Sequence, residues 1–201
     1  MIPSLLRAFE GPGAGFMIVI TALGALCAAV VAERALMLWR WRIDEAALLA
    51  ELQAGDLQAA TTRAAQHPAR ALLAAGAAAP NPEAAWDAIS AQAALVEPGV
   101  RGRVNALAAA GNIATMLGLL GTVYGLILAF QGLGDTSSTE RAARLSEGIS
   151  TAMNTTAYGL LVGIPALGAH AGLDGALRRV LATCEAAAST LLAWRRGAGA
   201  P

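Results

Sequence analysis

The strongest indication of the fold comes from residues 104–134, VNALAAAGNIATMLGLLGTVYGLILAFQGLG. It carries no charged residue and is longer than the roughly 20 apolar residues that a helix needs to cross a bilayer. Small residues recur in it at spacings of four and three, which place them on one helix face: Gly111, Thr115, Gly118, Thr122, Gly125 and Ala129. The other face carries bulky side chains: Met116, Leu119, Val123, Leu126, Ile127 and Phe130. We therefore predict a membrane span with a bulky side suited to lipid and a small-residue side suited either to close packing of another helix or to a narrow path.

The composition of the whole chain agrees with a membrane protein. The 201 residues are 56% hydrophobic and only 14% charged, whereas soluble domains carry about 25% charged residues. The net charge is zero, so the composition does not favour nucleic-acid binding. Cys27 and Cys184 lie in unrelated segments, and we expect both to act as small hydrophobic residues rather than to form a disulfide.

The uncharged runs divide the chain into seven predicted segments. These are a periplasmic N-terminal segment at 1–12, a first span at 13–38, a cytoplasmic helical segment at 39–102, a second span at 103–134, a periplasmic loop at 135–147, a third span at 148–173, and a cytoplasmic C-terminal helix and tail at 174–201. The predicted fold is therefore an all-α integral membrane protein with three transmembrane helices.

The distribution of arginine predicts the orientation of the spans. Most arginines lie between spans one and two or after span three, and only Arg7, Arg141 and Arg144 fall on the other side. By the positive-inside rule, the N-terminus is periplasmic and the C-terminus is cytoplasmic. A cleaved signal peptide is the alternative interpretation of residues 11–32, but that apolar run is long and leads directly into more apolar sequence.

The segment between the first two spans is rich in alanine and interrupted by glycine and proline. The predicted helix breaks are near Gly55, Pro68, Pro80, Pro82 and Pro98. A bundle of short helices is the interpretation that we favour, and a docking surface for a partner protein is the alternative.

Polar side chains inside the spans are the candidates for an ion pathway. They are Thr122 in the second span and Thr151, Asn154, Thr155 and Thr156 in the third. A single threonine often bonds only its own helix, but here several cluster, and Thr122 and Thr156 are expected at comparable depths. No acidic or basic residue lies near the centre of any span, so an ionisable group would have to come from a partner. His170, near the end of the third span, is interpreted as interfacial rather than as a proton relay.

A second group of residues is predicted to serve helix packing and assembly. Its members are small or lack a backbone N–H: Gly111, Gly118, Gly121, Gly125, Gly159, Gly163 and Pro165. Pro165 leaves the carbonyl of Leu161 without its usual helix donor, so that this oxygen needs water, another helix or an ion.

Two motifs resemble those of the MotA/TolQ/ExbB proton-channel family, most closely its ExbB/TolQ branch. They are GLLGTVYG at 118–125 and GISTAMNTTAYGLLVGIPAL at 148–167. The resemblance implies a subunit of an ion-driven motor, in which five copies surround a dimer of single-span partners of the ExbD, TolR or MotB type. It further implies that each partner carries a membrane aspartate, and that Thr122 and Thr156 are the pore-facing threonines of this chain.

The chain departs from the family pattern at two positions. The ExbB and TolQ proteins carry a glutamate where this chain has Thr151, and the family's Ala-Pro before the second-span motif is Ala114-Thr115 here. The first departure removes a carboxylate from the expected pathway, and the second replaces a predicted kink by a hydroxyl.

The resemblance and the composition together give the functional expectations. We expect a non-enzymatic channel subunit in a bacterial inner membrane, in contact with lipid, that binds no nucleic acid, metal or cofactor. The expected transported ion is H⁺, with Na⁺ as the alternative. The competing hypothesis is a non-conducting membrane scaffold that holds an envelope or export machine together.

Overall fold

The computed structural model describes Phe9, residues 11–131 and residues 137–198. Over these ranges it contains seven α-helices and no strand. They are α1 Ala14–Arg40, α2 Glu45–Gln53, α3 Leu57–Arg63, α4 Ala69–Ala78, α5 Pro82–Arg101, α6 Val104–Gln131 and α7 Ser138–Ala198. Three helical runs are long and apolar enough to cross a membrane: Ala14–Arg40, Pro82–Gln131 and Ser138–Gly197. The predicted all-helical fold with three candidate spans is confirmed.

The chain divides into two compact units. The first unit comprises Met1–Ala32 and Arg103–Ala171, and the second comprises Glu33–Gly102 and Gly172–Pro201. Most of the predicted N-terminal segment 1–12 and the residues 132–136 and 199–201 lie outside the described residues.

The predicted loop at 135–147 is wrong over most of its length, because α7 begins at Ser138. A reciprocal capping box starts this helix. The Ser137 N–H donates to Glu140 Oε2 at 3.2 Å, and the Glu140 N–H lies 3.4 Å from Ser137 Oγ. The signal Ser-x-x-Glu was present in the sequence, but the polarity of the segment obscured it. The segment at 138–147 is polar because it is an exposed helix, not because it is a loop.

The second unit has its own hydrophobic core. Helices α2 to α5 supply Leu48, Leu52, Leu72, Leu73 and Ile89 to this core, and α7 supplies Cys184, Ala187, Leu191 and Leu192. Three of the helices begin with a side-chain cap. The Oδ1 atoms of Asp44, Asp56 and Asn81 accept hydrogen bonds from the backbone N–H groups of Ala47, Ala59 and Ala84. The segment 43–101 therefore forms a small helical bundle together with the last part of α7.

The predicted breaks in this bundle are confirmed except at Pro98. Gly55, Pro68 and the Pro80–Pro82 stretch all fall at or next to helix boundaries, whereas Pro98 lies inside α5. Pro98 is in the last turn of that helix, and Ala94, whose carbonyl loses its donor, is exposed to solvent. Because water can bond this carbonyl, the helix continues to Arg101.

Arg34 stabilises the end of α5. The residue is only 5% exposed, and its guanidinium donates through Nη1 to the carbonyls of Gly99 at 3.2 Å and Val100 at 3.3 Å. These carbonyls belong to the last turn of the helix, where helical N–H donors are missing. A cation at this position also complements the negative end of the helix dipole.

His67 is a buried titratable group in the second unit. Its side chain is 4% exposed, and Nδ1 accepts a hydrogen bond from the Ala69 N–H at 3.1 Å. Burial lowers the pKa of His67 to about 4, and the negative charge of Glu45 offsets part of this effect. The neutral imidazole therefore stabilises the start of α4.

We expect the second unit to lose stability on mild acidification because of His67. Its folded pKa of about 4 lies below the ordinary value of 6.5, so its contribution is complete above pH 6.5 and is lost as the pH falls towards 4. Between pH 7 and pH 5 the loss should be about 2 kcal/mol. Hydrogen exchange of the α4 amides, corrected for intrinsic rates, measures this loss in the full chain. His67→Asn keeps an acceptor for the Ala69 N–H but does not titrate, and an equal pH dependence in both proteins would contradict the assignment.

Candidate functional site

Helices α6 and α7 pack backbone to backbone in the first unit. A Cβ atom built on Gly118 would lie 3.1 Å from the Gly159 Cα, and one built on Gly159 would lie 2.8 Å from the Gly118 Cα. Towards the end of α6, a Cβ on Gly125 would lie 2.5 Å from the Ala152 nitrogen and 2.7 Å from the Gly148 carbonyl oxygen. The two helices run antiparallel along this line of contact, which we call the seam. The glycines are required because no side chain fits between the two backbones.

The burial pattern of α6 confirms the predicted two-sided span. Gly111, Gly118, Gly125 and Ala129 are buried and Thr115 and Thr122 are half-buried, as the small-residue side requires. The bulky residues opposite are exposed: Met116, Leu119, Val123, Leu126, Ile127 and Phe130. This contiguous apolar surface fits a membrane environment or a neighbouring chain.

Two threonines meet across the seam. The hydroxyls of Thr122 on α6 and Thr156 on α7 are in hydrogen-bonding contact. Thr156 Oγ1 also donates across the seam to the Gly118 carbonyl oxygen at 3.0 Å, and Thr122 Oγ1 lies 3.4 Å from the same oxygen. The site is thus a cluster of three oxygens from two helices, and both threonines are half-buried.

The hydrogen-bond inventory of this cluster leaves acceptor capacity unused. The Gly118 carbonyl has two lone pairs, one for the helical N–H of Thr122 and one for the Thr156 hydroxyl. The Thr122 hydroxyl can then donate to Thr156 Oγ1, which leaves lone pairs on both hydroxyl oxygens. Such oxygens can accept a hydrogen bond from a protonated carboxylic acid or a hydrated proton, or can ligate a hard cation.

The cluster carries no formal charge. Residues 104–131 and 148–171 contain no Asp, Glu, Lys or Arg. Glu147, the acidic residue next to the third span, is exposed on α7. The hydroxyl pair can therefore solvate a proton or cation, but an acid–base group must come from elsewhere.

The other predicted pathway residues form their hydrogen bonds elsewhere. Thr155 is 1% exposed, and its hydroxyl donates within its own helix to the carbonyls of Thr151 and Ala152. The methyl group of Thr151 faces Gly13 on the approach to α1, and Asn154 donates to Ser150. Of the five predicted pathway residues, the structure brings together Thr122 and Thr156. The ion-pathway roles of all five stay predictions.

The six predicted packing glycines lie along the same seam, and Pro165 does not. Gly111 and Gly163 oppose each other, because a Cβ on Gly163 would lie 2.9 Å from the Gly111 carbonyl oxygen. Gly121 accommodates the side chain of Thr155. Pro165 is exposed and α7 continues through it without a break.

Gly148 and the contacts of α1 also shape the site, although neither was predicted from the sequence. A Cβ on Gly148 would lie 2.6 Å from the Ala129 nitrogen, so this glycine closes the seam. A signal was available, since Gly148, Ala152, Thr155, Gly159, Gly163 and Ala166 follow spacings of four and three like those of α6. On α1, Thr21 Oγ1 lies 2.9 Å from the Tyr158 hydroxyl, and Phe16 packs against Tyr124. No periodicity in α1 predicts these aromatic and hydroxyl contacts.

Comparison with known proteins defines the class of this chain. The MotA/TolQ/ExbB proton channel family matches residues 58–186, which include α6, the described seam and most of the second unit. The chain therefore belongs to the MotA/TolQ/ExbB proton channel family. Membership in a family of channel proteins, rather than of enzymes, agrees with three apolar helices in the described residues.

Several relatives in this family carry ExbB names. The chain is 38% identical over 87 residues to the biopolymer transport protein exbB1 of Vibrio cholerae, covering 43% of this chain and 38% of that protein. It is 42% identical over 61 residues to the biopolymer transport protein ExbB of Salmonella typhimurium, covering 30% of this chain and 25% of that protein. It is 40% identical over 65 residues to an ExbB-like protein of Helicobacter pylori, covering 32% of this chain and 43% of that protein. The matched stretches thus span less than half the length of these relatives, and they confirm the predicted likeness to the ExbB side of the family.

Proposed function

We propose that this chain is the ion-conducting subunit of a complex that converts the ion gradient of a bacterial inner membrane into mechanical work on the envelope. The hydroxyl cluster of Thr122, Thr156 and the Gly118 carbonyl is the observation that carries this proposal. It lies inside two apolar helices that pack closely through glycines, such as Gly118, Gly125 and Gly159. Hydroxyl oxygens with unused acceptor capacity inside a span can hydrogen-bond a transported proton or the acid that carries it.

The acid of the pathway comes from a second protein. The spans that hold the cluster contain no carboxylate, and Thr151 stands where the ExbB and TolQ proteins have a glutamate. A single-span partner of the ExbD, TolR or MotB type, with an aspartate in its membrane helix, would supply it. The hydroxyls of Thr122 and Thr156 would hydrogen-bond the protonated aspartic acid and release it when the proton leaves.

A ring of like chains would enclose such partners. The pentamer implied by the family places five hydroxyl clusters around one central dimer, and each passing charge releases about 2.3 kcal/mol per 100 mV. That energy is available at each step to turn the ring relative to the partner helices. The proposed ion is H⁺, and the orientation places the N-terminus in the periplasm and the C-terminus in the cytoplasm.

Ion flux into proteoliposomes tests the proposal. The purified chain is reconstituted alone, with its single-span partner, and with a partner whose membrane aspartate is changed to asparagine, and flux is followed with a pH-sensitive dye in sodium and sodium-free buffers. We expect flux only with the unmodified partner and without a sodium requirement. A sodium requirement would overturn H⁺ as the ion. Absence of flux in a complex shown to be intact would overturn conduction and favour the scaffold.

A further inference from the structure

His170 is the imidazole of the first unit, and the conduction site described above does not use it. Its ring lies at the end of the seam, where Nδ1 is 2.9 Å from the carbonyl oxygen of Val104, the first residue of α6. The side chain is half-buried. Two spans therefore meet at this histidine through a direct hydrogen bond.

The position of His170 on α7 aligns it with the hydroxyl cluster. Thr156, Gly163 and His170 are spaced by seven residues, which keeps them within about 40° of one helix face and sets them about 10 Å apart along the axis. Thr115 of α6 lies at the middle level, where its hydroxyl is beside Gly163. This hydroxyl donates to the Gly111 carbonyl of its own helix at 3.1 Å, but unlike Thr155, Thr115 is half-buried and keeps acceptor lone pairs in the seam. The seam thus presents polar groups at three levels, from Thr122 and Thr156 through Thr115 to His170.

The hydrogen bond to Val104 fixes the protonation pattern of the ring. A carbonyl oxygen only accepts, so Nδ1 must carry a hydrogen. In the neutral ring the lone pair then sits on Nε2, which can take up a proton without breaking the bond to Val104. The ring is held in the one tautomer that can receive a proton at Nε2.

The neighbouring charged groups already have partners. Arg103, which precedes α6, has an interaction of its own. Asp174, four residues after His170 along α7, pairs with Arg178 at 2.5 Å and with Arg101 at 3.9 Å. Among the described residues, His170 is therefore the neutral base at this end of the seam.

The sequence alone favoured an interfacial His170, but its bond to Val104 leads us to propose that His170 is the proton acceptor and donor at this end of the pathway, the end that the distribution of arginine assigns to the cytoplasm. Nε2 takes a proton that has passed the levels of Thr156 and Thr115 and then gives it to water outside the span, while the Nδ1–H group keeps its hydrogen bond to the Val104 carbonyl. This role rests on the proposed function, and it adds an exchange site in the chain itself. Thr115 and His170 both belong to this proton path. Thr115 stands where the family pattern has a proline.

Two substitutions of His170 separate a proton-exchange role from a structural one. In His170→Gln, the new side-chain amide can still donate a hydrogen bond to the Val104 carbonyl but cannot exchange protons. His170→Gly leaves a gap that added imidazole can fill. In proteoliposomes with the single-span partner, we expect His170→Gln to lower proton flux about tenfold or more with the complex intact by size-exclusion chromatography. Imidazole should raise the flux of His170→Gly in a dose-dependent way and should not affect His170→Gln.

The outcomes distinguish this inference from the proposed function. Wild-type flux in His170→Gln, or a reduced flux in His170→Gly that imidazole does not raise, would leave His170 as a structural link only and would overturn the inference. In both of these cases, loss of flux in Thr156→Val would keep the proposed function. Absence of flux in the intact wild-type complex would overturn both.

Discussion

Replacing Thr156 by valine is expected to reduce ion flux to the leak of empty vesicles while the complex still assembles. Valine keeps the branched shape of threonine but removes the hydroxyl that bonds Gly118 across the seam and contacts Thr122. The Thr122 hydroxyl can still donate to the Gly118 carbonyl, but only one of the two hydroxyl oxygens is then left to accept a hydrogen bond from a protonated acid. Dye-based flux in proteoliposomes that contain the chain and its single-span partner measures the effect.

The adjacent threonine provides a matched control for this substitution. Thr155 is deeply buried, and its hydroxyl bonds only carbonyls of its own helix, so Thr155→Val should leave flux within about twofold of the wild type, because such a bond contributes little. Thr156→Ser restores a hydroxyl and should recover most of the flux. Undiminished flux in a well-assembled Thr156→Val complex would remove the hydroxyl cluster from the mechanism, whatever the controls show.

Gly125→Ala is expected to prevent the first unit from folding stably. The new methyl carbon would lie 2.5 Å from the Ala152 nitrogen and 2.7 Å from the Gly148 carbonyl oxygen, and both atoms belong to the backbone of α7. A backbone cannot move aside as a flexible side chain does, so the two helices must separate along the seam. We expect a cost of about 3 kcal/mol or more, visible as a lower melting temperature and a smaller monodisperse peak in detergent.

A second glycine-to-alanine change isolates the steric cause. Gly168 lies on α7 with no atom within 4 Å of a built Cβ. Gly168→Ala should be neutral or should stabilise the protein by about 1 kcal/mol, because alanine favours the helix. If Gly125→Ala were as stable as Gly168→Ala, close packing of α6 and α7 at Gly125 would be wrong.

The small-residue stripe shows what sequence periodicity can predict. The spacing from Gly111 to Ala129 specified a buried face, and the structure confirms this face as one side of the seam. The expected common depth of Thr122 and Thr156 is confirmed by their contact. Both predictions depend only on helical geometry. A long apolar segment in a membrane adopts this geometry because a helix satisfies all of its backbone hydrogen bonds internally.

Other features depend on information that periodicity does not carry. Thr155 and Thr156 are adjacent and chemically equal, and only the rotation of α7 about its axis decides which of them faces Thr122. The polar segment at 138–147 was predicted as a loop because polarity alone does not distinguish an exposed helix from a turn. The burial of His67 depends on residues distant in sequence, since Met37 and Leu95 line the same cavity as this side chain.

The divided core of the second unit has a consequence for biosynthesis. Residues up to Gly102 leave the ribosome well before Leu191 and Leu192, which complete that core. The delay is on the order of ten seconds at ordinary translation rates, and both later spans are synthesised during it. Until then Leu48, Leu52 and Leu73 lack the α7 residues of their core, so the early helices are a natural substrate for chaperones or proteases. In a chain whose α7 is misplaced, the apolar residues of this core would stay exposed, and proteases could recognise and degrade that chain.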